Sequence, residues 1–223
     1  MNVLKQMFCR AFACAALAAA ALPASAGPTV GGGPVYDNGA PDHASGNNMG
    51  FAWQADDFTL GAATSLGQLT FWSLEAPDAY RGSISWEILG DAGGTPSSTI
   101  LASGSAGGVT RSLLGGYLGL DEYANGLDFG ALSLGAGTYW LVLHNGSLDN
   151  LGDPDEFLWE TSGANGTPSG METYDKGMSW SGNFNQHAFV MSAVPEPGPL
   201  PMLAGGLCVL GLAWRKHGAR RLR

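Results

Sequence analysis

Apolar and polar positions alternate in short blocks through residues 35–193, and Gly, Ser or Asn interrupts the pattern every few positions. No apolar stripe at helical spacing runs longer than about two turns, so the pattern predicts regularly spaced β-strands. Ile84, Ser85, Trp86, Glu87 and Ile88 alternate strictly, and residues 68–74 carry Leu69, Phe71, Trp72 and Leu74. Both segments predict strands with one buried face. Residues 138–143 are apolar on both faces, between Gly137 and Asn145-Gly146. They predict a central strand covered on both sides, with residues 157–160 as its pairing neighbour. Further strands are expected at residues 51–53, 57–60, 99–101, 127–129 and 188–191. About eight or nine strands with Gly-rich turns and no internal repeat specify an all-β fold, a single β-sandwich or jelly-roll-like domain.

The two ends break this pattern. Lys5 and Arg10 precede an apolar run at residues 11–22, followed by Ala24-Ser25-Ala26. This is the layout of a signal peptide over residues 1–26, cut by signal peptidase between Ala26 and Gly27. Twelve helical residues span only about 18 Å of a roughly 30 Å hydrocarbon core, which argues against an uncleaved anchor. Gly31, Gly32, Gly33 and Pro34 make residues 27–34 a flexible leader. Residues 194–199 read as a proline spacer, and residues 200–214 carry no charged side chain. The latter predict a single transmembrane helix of about 22 Å. Arg215, Lys216, Arg220, Arg221 and Arg223 then form a basic stop-transfer tail at residues 215–223, expected to stay cytoplasmic.

Val194-Pro195-Glu196-Pro197, the short glycine-containing apolar helix and the Arg-rich terminus together resemble the PEP-CTERM sorting signal of Gram-negative bacteria. The resemblance covers residues 194–223. It implies that an exosortase-type membrane protease recognises Pro195, Glu196 and Pro197 and delivers the protein to the cell surface or an extracellular polymer matrix. The same tail is also labelled an ice-binding-protein C-terminal domain, which implies no contact with ice. Tyr36-Asp37-Asn38-Gly39, Trp53 to Phe58, Phe71-Trp72 and Gly137 to Leu141, in that order, resemble a loose class of secreted bacterial sandwich domains whose activities are unassigned.

Charge sharpens this picture. The chain has 223 residues and a net charge of −9, but its cations crowd the ends. Between Gly27 and Ala193 only Arg81, Arg111 and Lys176 face 18 carboxylates, a net −15. A phosphate backbone would be repelled, which excludes nucleic acid as a partner. Cys9, Cys14 and Cys208 all lie in the end segments, so the middle has neither a disulfide nor a cysteine metal site.

Candidate chemistry in the middle is sparse. No Gly-x-Ser-x-Gly, His-Glu-x-x-His or phosphate-binding loop occurs, and His43, His144 and His187 stand 101 and 43 residues apart. Glu75, Glu87, Glu160 and Glu172 are the weak nominees for a glycosidase-type carboxylate pair, so no catalytic residue is assigned. Asp149, Asn150, Asp153, Asp155 and Glu156 crowd one loop with hard oxygen ligands that suit Ca²⁺, the one cofactor the sequence suggests. Asp37, Asp42, Asp56 and Asp57 form a second such cluster. Trp53 and Trp180, beside turns, are the candidates for stacking on a glycan.

The expectation is an exported, membrane-anchored surface or matrix protein without enzymatic activity. Its partners would be signal peptidase, an exosortase and the membrane, with extracellular polysaccharide as a further candidate. A carbohydrate-binding or adhesive module, Ca²⁺-dependent or not, and a secreted polysaccharide hydrolase are the alternatives.

Overall fold

The computed structural model describes residues 33–163 and 169–194. These contain no helix and thirteen strands: β1 (Pro34–Asp37), β2 (Pro41–Asn48), β3 (Trp53–Leu60), β4 (Thr64–Glu75), β5 (Ile84–Asp91), β6 (Pro96–Ala106), β7 (Thr110–Tyr117), β8 (Leu120–Leu134), β9 (Gly137–Asn145), β10 (Phe157–Ser162), β11 (Met171–Thr173), β12 (Ser181–Gly182) and β13 (Phe189–Ala193). They form two antiparallel sheets. In the first, β4 is the spine: β8 pairs along one edge with β7 outside it, while β13 and β10 share the other edge and carry β1 and β2 in turn. The second runs β12-β11-β3-β9-β5-β6.

Alternation explains why the sheets close on one another. Phe58, Ile84, Trp86, Ile88, Leu141 and Leu143 of the second sheet pack against Leu69, Phe71, Leu127, Phe157, Trp159 and Phe189 of the first in one core cluster. Each such side chain contributes roughly 1.5–3 kcal/mol through burial. Glycine permits one close approach here. A Cβ at Gly104 on β6 would sit 2.7 Å from the Trp86 ring, which therefore lies flat across the neighbouring strand. The other face of β3, β5 and β9 carries a second apolar cluster, Trp53, Ala55, Leu89, Trp140 and Val142, covered by Leu148, Leu151, Met171 and Trp180. That second cover is why β9, central between β3 and β5, reads as apolar on both faces.

The sheets correct several expectations. Strands β1, β2, β7, β11 and β12 lie where none was expected, so the count exceeds eight or nine. Pro34, read as leader, begins β1, because its strand finds an edge to pair with on β13. Phe51 is 46% exposed in the turn before β3. Residues 157–160 do not pair with β9: β10 sits in the opposite sheet between β4 and β2. Phe157 and Trp159 reach the same core as Leu141 and Leu143, but from the facing sheet. The signal peptide, the sorting motif at Pro195, Glu196 and Pro197, the apolar helix and the basic tail fall outside the described residues.

Candidate functional site

The acidic loop between β9 and β10 is occupied by the protein's own cations. Arg81 donates to both oxygens of Asp153, through Nε at 2.6 Å and Nη2 at 2.9 Å, and also to Asp155. Lys176 donates to Asp149 at 2.6 Å. These hydrogen bonds hold the Asp149 and Asp153 carboxyls below the usual carboxylate range. Asn150 donates its backbone N–H to Ser147 and closes a turn, while the Glu156 carbonyl accepts from the Ala76 N–H. No three carboxylates of this loop bring oxygens close enough to share one ion. Asp149, Asp153 and Asp155, three of the five expected Ca²⁺ ligands, are thus paired with Arg81 or Lys176.

The second acidic group is dispersed as well. Asp37 caps the Gly39 N–H, and Asp57 accepts from the Ser169 hydroxyl. Asp56 is buried and accepts from the backbone N–H and the ring of His187, at 2.6 and 3.0 Å, and from Asn38. His187 stacks on Trp159 and reaches Asn47 with its other nitrogen, and His144 is buried and held below its ordinary pKa by that burial. Trp53, nominated as a glycan platform, is only 6% exposed and donates its indole N–H to the Leu148 carbonyl. What little remains open lies on the floor of a hollow of about 370 Å³ shared with Glu87, Ile100 and Met178. Trp180 is half-buried against the same cluster.

The nominated acids divide. Glu75 is buried and engaged by Ser73 and Arg111, whose guanidinium lies 4.2 Å from the ring centroids of both Tyr80 and Tyr123. Glu172 accepts from the Tyr174 hydroxyl, and burial raises the Glu87 carboxyl. Glu160 is different, because it meets a carboxylate that the sequence did not single out.

Glu122 on β8 and Glu160 on β10 point to the outer face of the first sheet, on either side of β4, where Leu74 lies opposite Glu122 in register. Segment 42–45 of β2 arches over them. Pairing jumps from Gly46 opposite Glu160 to Pro41 opposite Ser162, and His43 takes a left-handed φ of 57° at the crest. Asp42 fixes the arch by accepting from the Ala44 N–H at 3.0 Å and the Thr161 hydroxyl at 2.7 Å. Gly46 lets β2 lie close, since a Cβ there would meet Leu158 Cβ at 2.7 Å and the Trp159 carbonyl at 2.9 Å.

The arch lays the His43 ring on Tyr117, centroids 4.0 Å apart and planes within 10°. Tyr117 is held there by the β7–β8 hairpin, whose turn residues Leu118 and Gly119 have φ of 58° and 84°, the paired positive angles of a tight two-residue turn. His43 Nδ1 then lies 3.2 Å from Glu160 Oε1 and 3.6 Å from Glu122 Oε1. Glu160 is fully buried and Glu122 is 2% exposed, whereas the His43 side chain is 38% exposed and opens the site to solvent. Burial first, and the Glu122 charge second, push the Glu160 carboxyl up to about 7, against the pull of His43. Glu122 Oε1 and Glu160 Oε2 are buried without a hydrogen-bond partner. Among the described residues this is the single cluster of three or more His, Cys, Asp or Glu whose ligand atoms converge.

His43 and Glu160 were visible in the sequence as separate polar residues; Glu122 was not, since the strand expected there covered only residues 127–129 while β8 begins at Leu120. No family model matches the chain, and no curated protein matches it.

Proposed function

We propose that the chain is an exported, non-enzymatic protein of the cell surface or extracellular matrix. Signal peptidase removes residues 1–26, the β-sandwich forms the ectodomain, and an exosortase-type protease processes the C-terminal signal at Pro195, Glu196 and Pro197. The observation that carries this reading is the order of segments: a charged and apolar leader ending in Ala24-Ser25-Ala26, then one acidic domain, then Pro-Glu-Pro, an uncharged run and a basic terminus.

The fold of the domain suits such a tether. Pro34 of β1 lies opposite Ser192 of β13, so the domain's first and last strands start and finish at one pole. Leu66 of β4 faces Ala193 at that pole, and Glu75 ends the same strand roughly 30 Å away at 3.3 Å per residue. The His43, Glu122 and Glu160 cluster lies towards the far end, where Leu74 faces Glu122. A domain held at one pole presents that end outward.

The test is to produce the full chain and a Pro195→Ala/Pro197→Ala variant in the native cells and separate membrane, surface and medium fractions. The parent is expected at the surface or in the matrix without its basic tail, and the variant in the inner membrane with the tail retained. Identical distribution and identical C-termini would overturn the reading.

A further inference from the structure

We propose that His43, Glu122 and Glu160 form a binding site for a divalent transition-metal ion, with Zn²⁺ the best match. The geometry is the first argument. A tetrahedral ion with bonds of 2.0–2.2 Å needs ligand atoms about 3.3–3.6 Å apart. The two His43 to carboxylate separations are 3.2 and 3.6 Å, and all three ligand atoms lie within 4.8 Å of one another.

The second argument is independent of the clustering. Glu122 is 2% exposed, yet its Oε1, the oxygen aimed at His43, has no hydrogen-bond partner. A buried carboxylate oxygen without a donor is costly, and a metal bond removes the deficit. The donor set selects the ion class: one imidazole nitrogen with two carboxylates suits Zn²⁺ or a neighbouring transition metal, whereas Ca²⁺ takes six to eight oxygens. With a neutral imidazole, the site's two negative charges match a divalent cation.

The protein also supplies what holds the ligands. Tyr117 stacks on the imidazole and Asp42 ties down the arch that carries it. The exposed side of His43 gives the ion a way in, and leaves a fourth position for water.

The full chain, solubilised in detergent and stripped with EDTA, is titrated with Zn²⁺, Co²⁺ and Ca²⁺ by calorimetry and absorbance. His43→Ala, Glu122→Gln and Glu160→Gln are compared with Asp149→Asn, and circular dichroism establishes that each variant is folded. The parent is expected to bind one Zn²⁺ that is lost, or weakened at least about 100-fold, in each of the three site variants and kept in Asp149→Asn. Co²⁺ should give the visible bands of a tetrahedral nitrogen and oxygen site without a thiolate charge-transfer band, which separates this site from Cys9, Cys14 and Cys208. Zn²⁺ at a hundred times its Kd should raise the Tm by roughly 5–10 °C. Absence of Zn²⁺ binding, or binding unchanged in folded site variants, overturns the site; equal competition by Ca²⁺ overturns its assignment to a transition metal.

Discussion

Glu160 is the residue whose environment departs furthest from what its sequence context suggests. It stands in a strand with apolar Leu158 and Trp159, and burial beside Glu122 raises its carboxyl from 4.5 to about 7. A carboxyl raised in the folded state makes no unfavourable contribution below its unfolded pKa, and destabilises the fold progressively as pH rises through the folded value. In EDTA, therefore, stability relative to Glu160→Gln is expected to fall between pH 4.5 and 7: the two proteins should be equally stable at pH 4, and the Gln variant the more stable at pH 8. Urea titrations across that range check it, and parallel profiles would contradict it. Asp56 makes the opposite case. It is buried beneath the His187 N–H and ring, so Asp56→Ala leaves both donors unmatched and should cost roughly 3–5 kcal/mol. A loss below about 1 kcal/mol by denaturant unfolding would contradict that account. At this scale Glu160 and Asp56 were legible as acids, but Glu122 and the partners of all three were not. Arg81 is separated from Asp153 by 72 residues, and no local pattern announces the pairing.

At the scale of elements, the strands with strict alternation or apolar character on both faces, β5 and β9, were readable because each obeys the period of its own face. Strand β10 misled because pairing partner is not a local property. It follows β9 in sequence, but the acidic loop clamped by Arg81 carries it into the facing sheet, where Phe157 and Trp159 meet the core from the other side. Strand β2 was missed because Asp42, His43, Ser45, Gly46, Asn47 and Asn48 resemble a loop; β2 is an edge strand that arches over the outer face, and its polar residues serve the arch. Two outcomes follow from these elements. Gly46→Val should push β2 from β10, cost about 1–3 kcal/mol and weaken Zn²⁺ binding together with stability. Unaltered unfolding and binding would show that the close approach is not required. The Arg81 and Lys176 pairs in the acidic loop predict that Ca²⁺ leaves the melting curve of the EDTA-stripped protein unchanged. A calcium-dependent rise lost in Asp153→Asn would contradict that prediction.

For the whole molecule, fold class followed from punctuation: through residues 35–193 glycines and short alternating runs leave no room for long helices, and the described residues form two antiparallel sheets. The convergence of His43, Glu122 and Glu160 was not legible, since it depends on the order β8-β4-β10-β2, which sequence neighbours do not determine. The proposed function turns on the ends: the domain, whose first and last strands share one pole, would be tethered there during export and released at Pro-Glu-Pro. Intact mass and terminal-peptide analysis of the protein recovered from its own cells tests it most directly. The mature chain is expected to begin at Gly27 and end between Pro195 and Pro197; a chain that still carries Met1 or still ends at Arg223 would contradict the proposed export and processing.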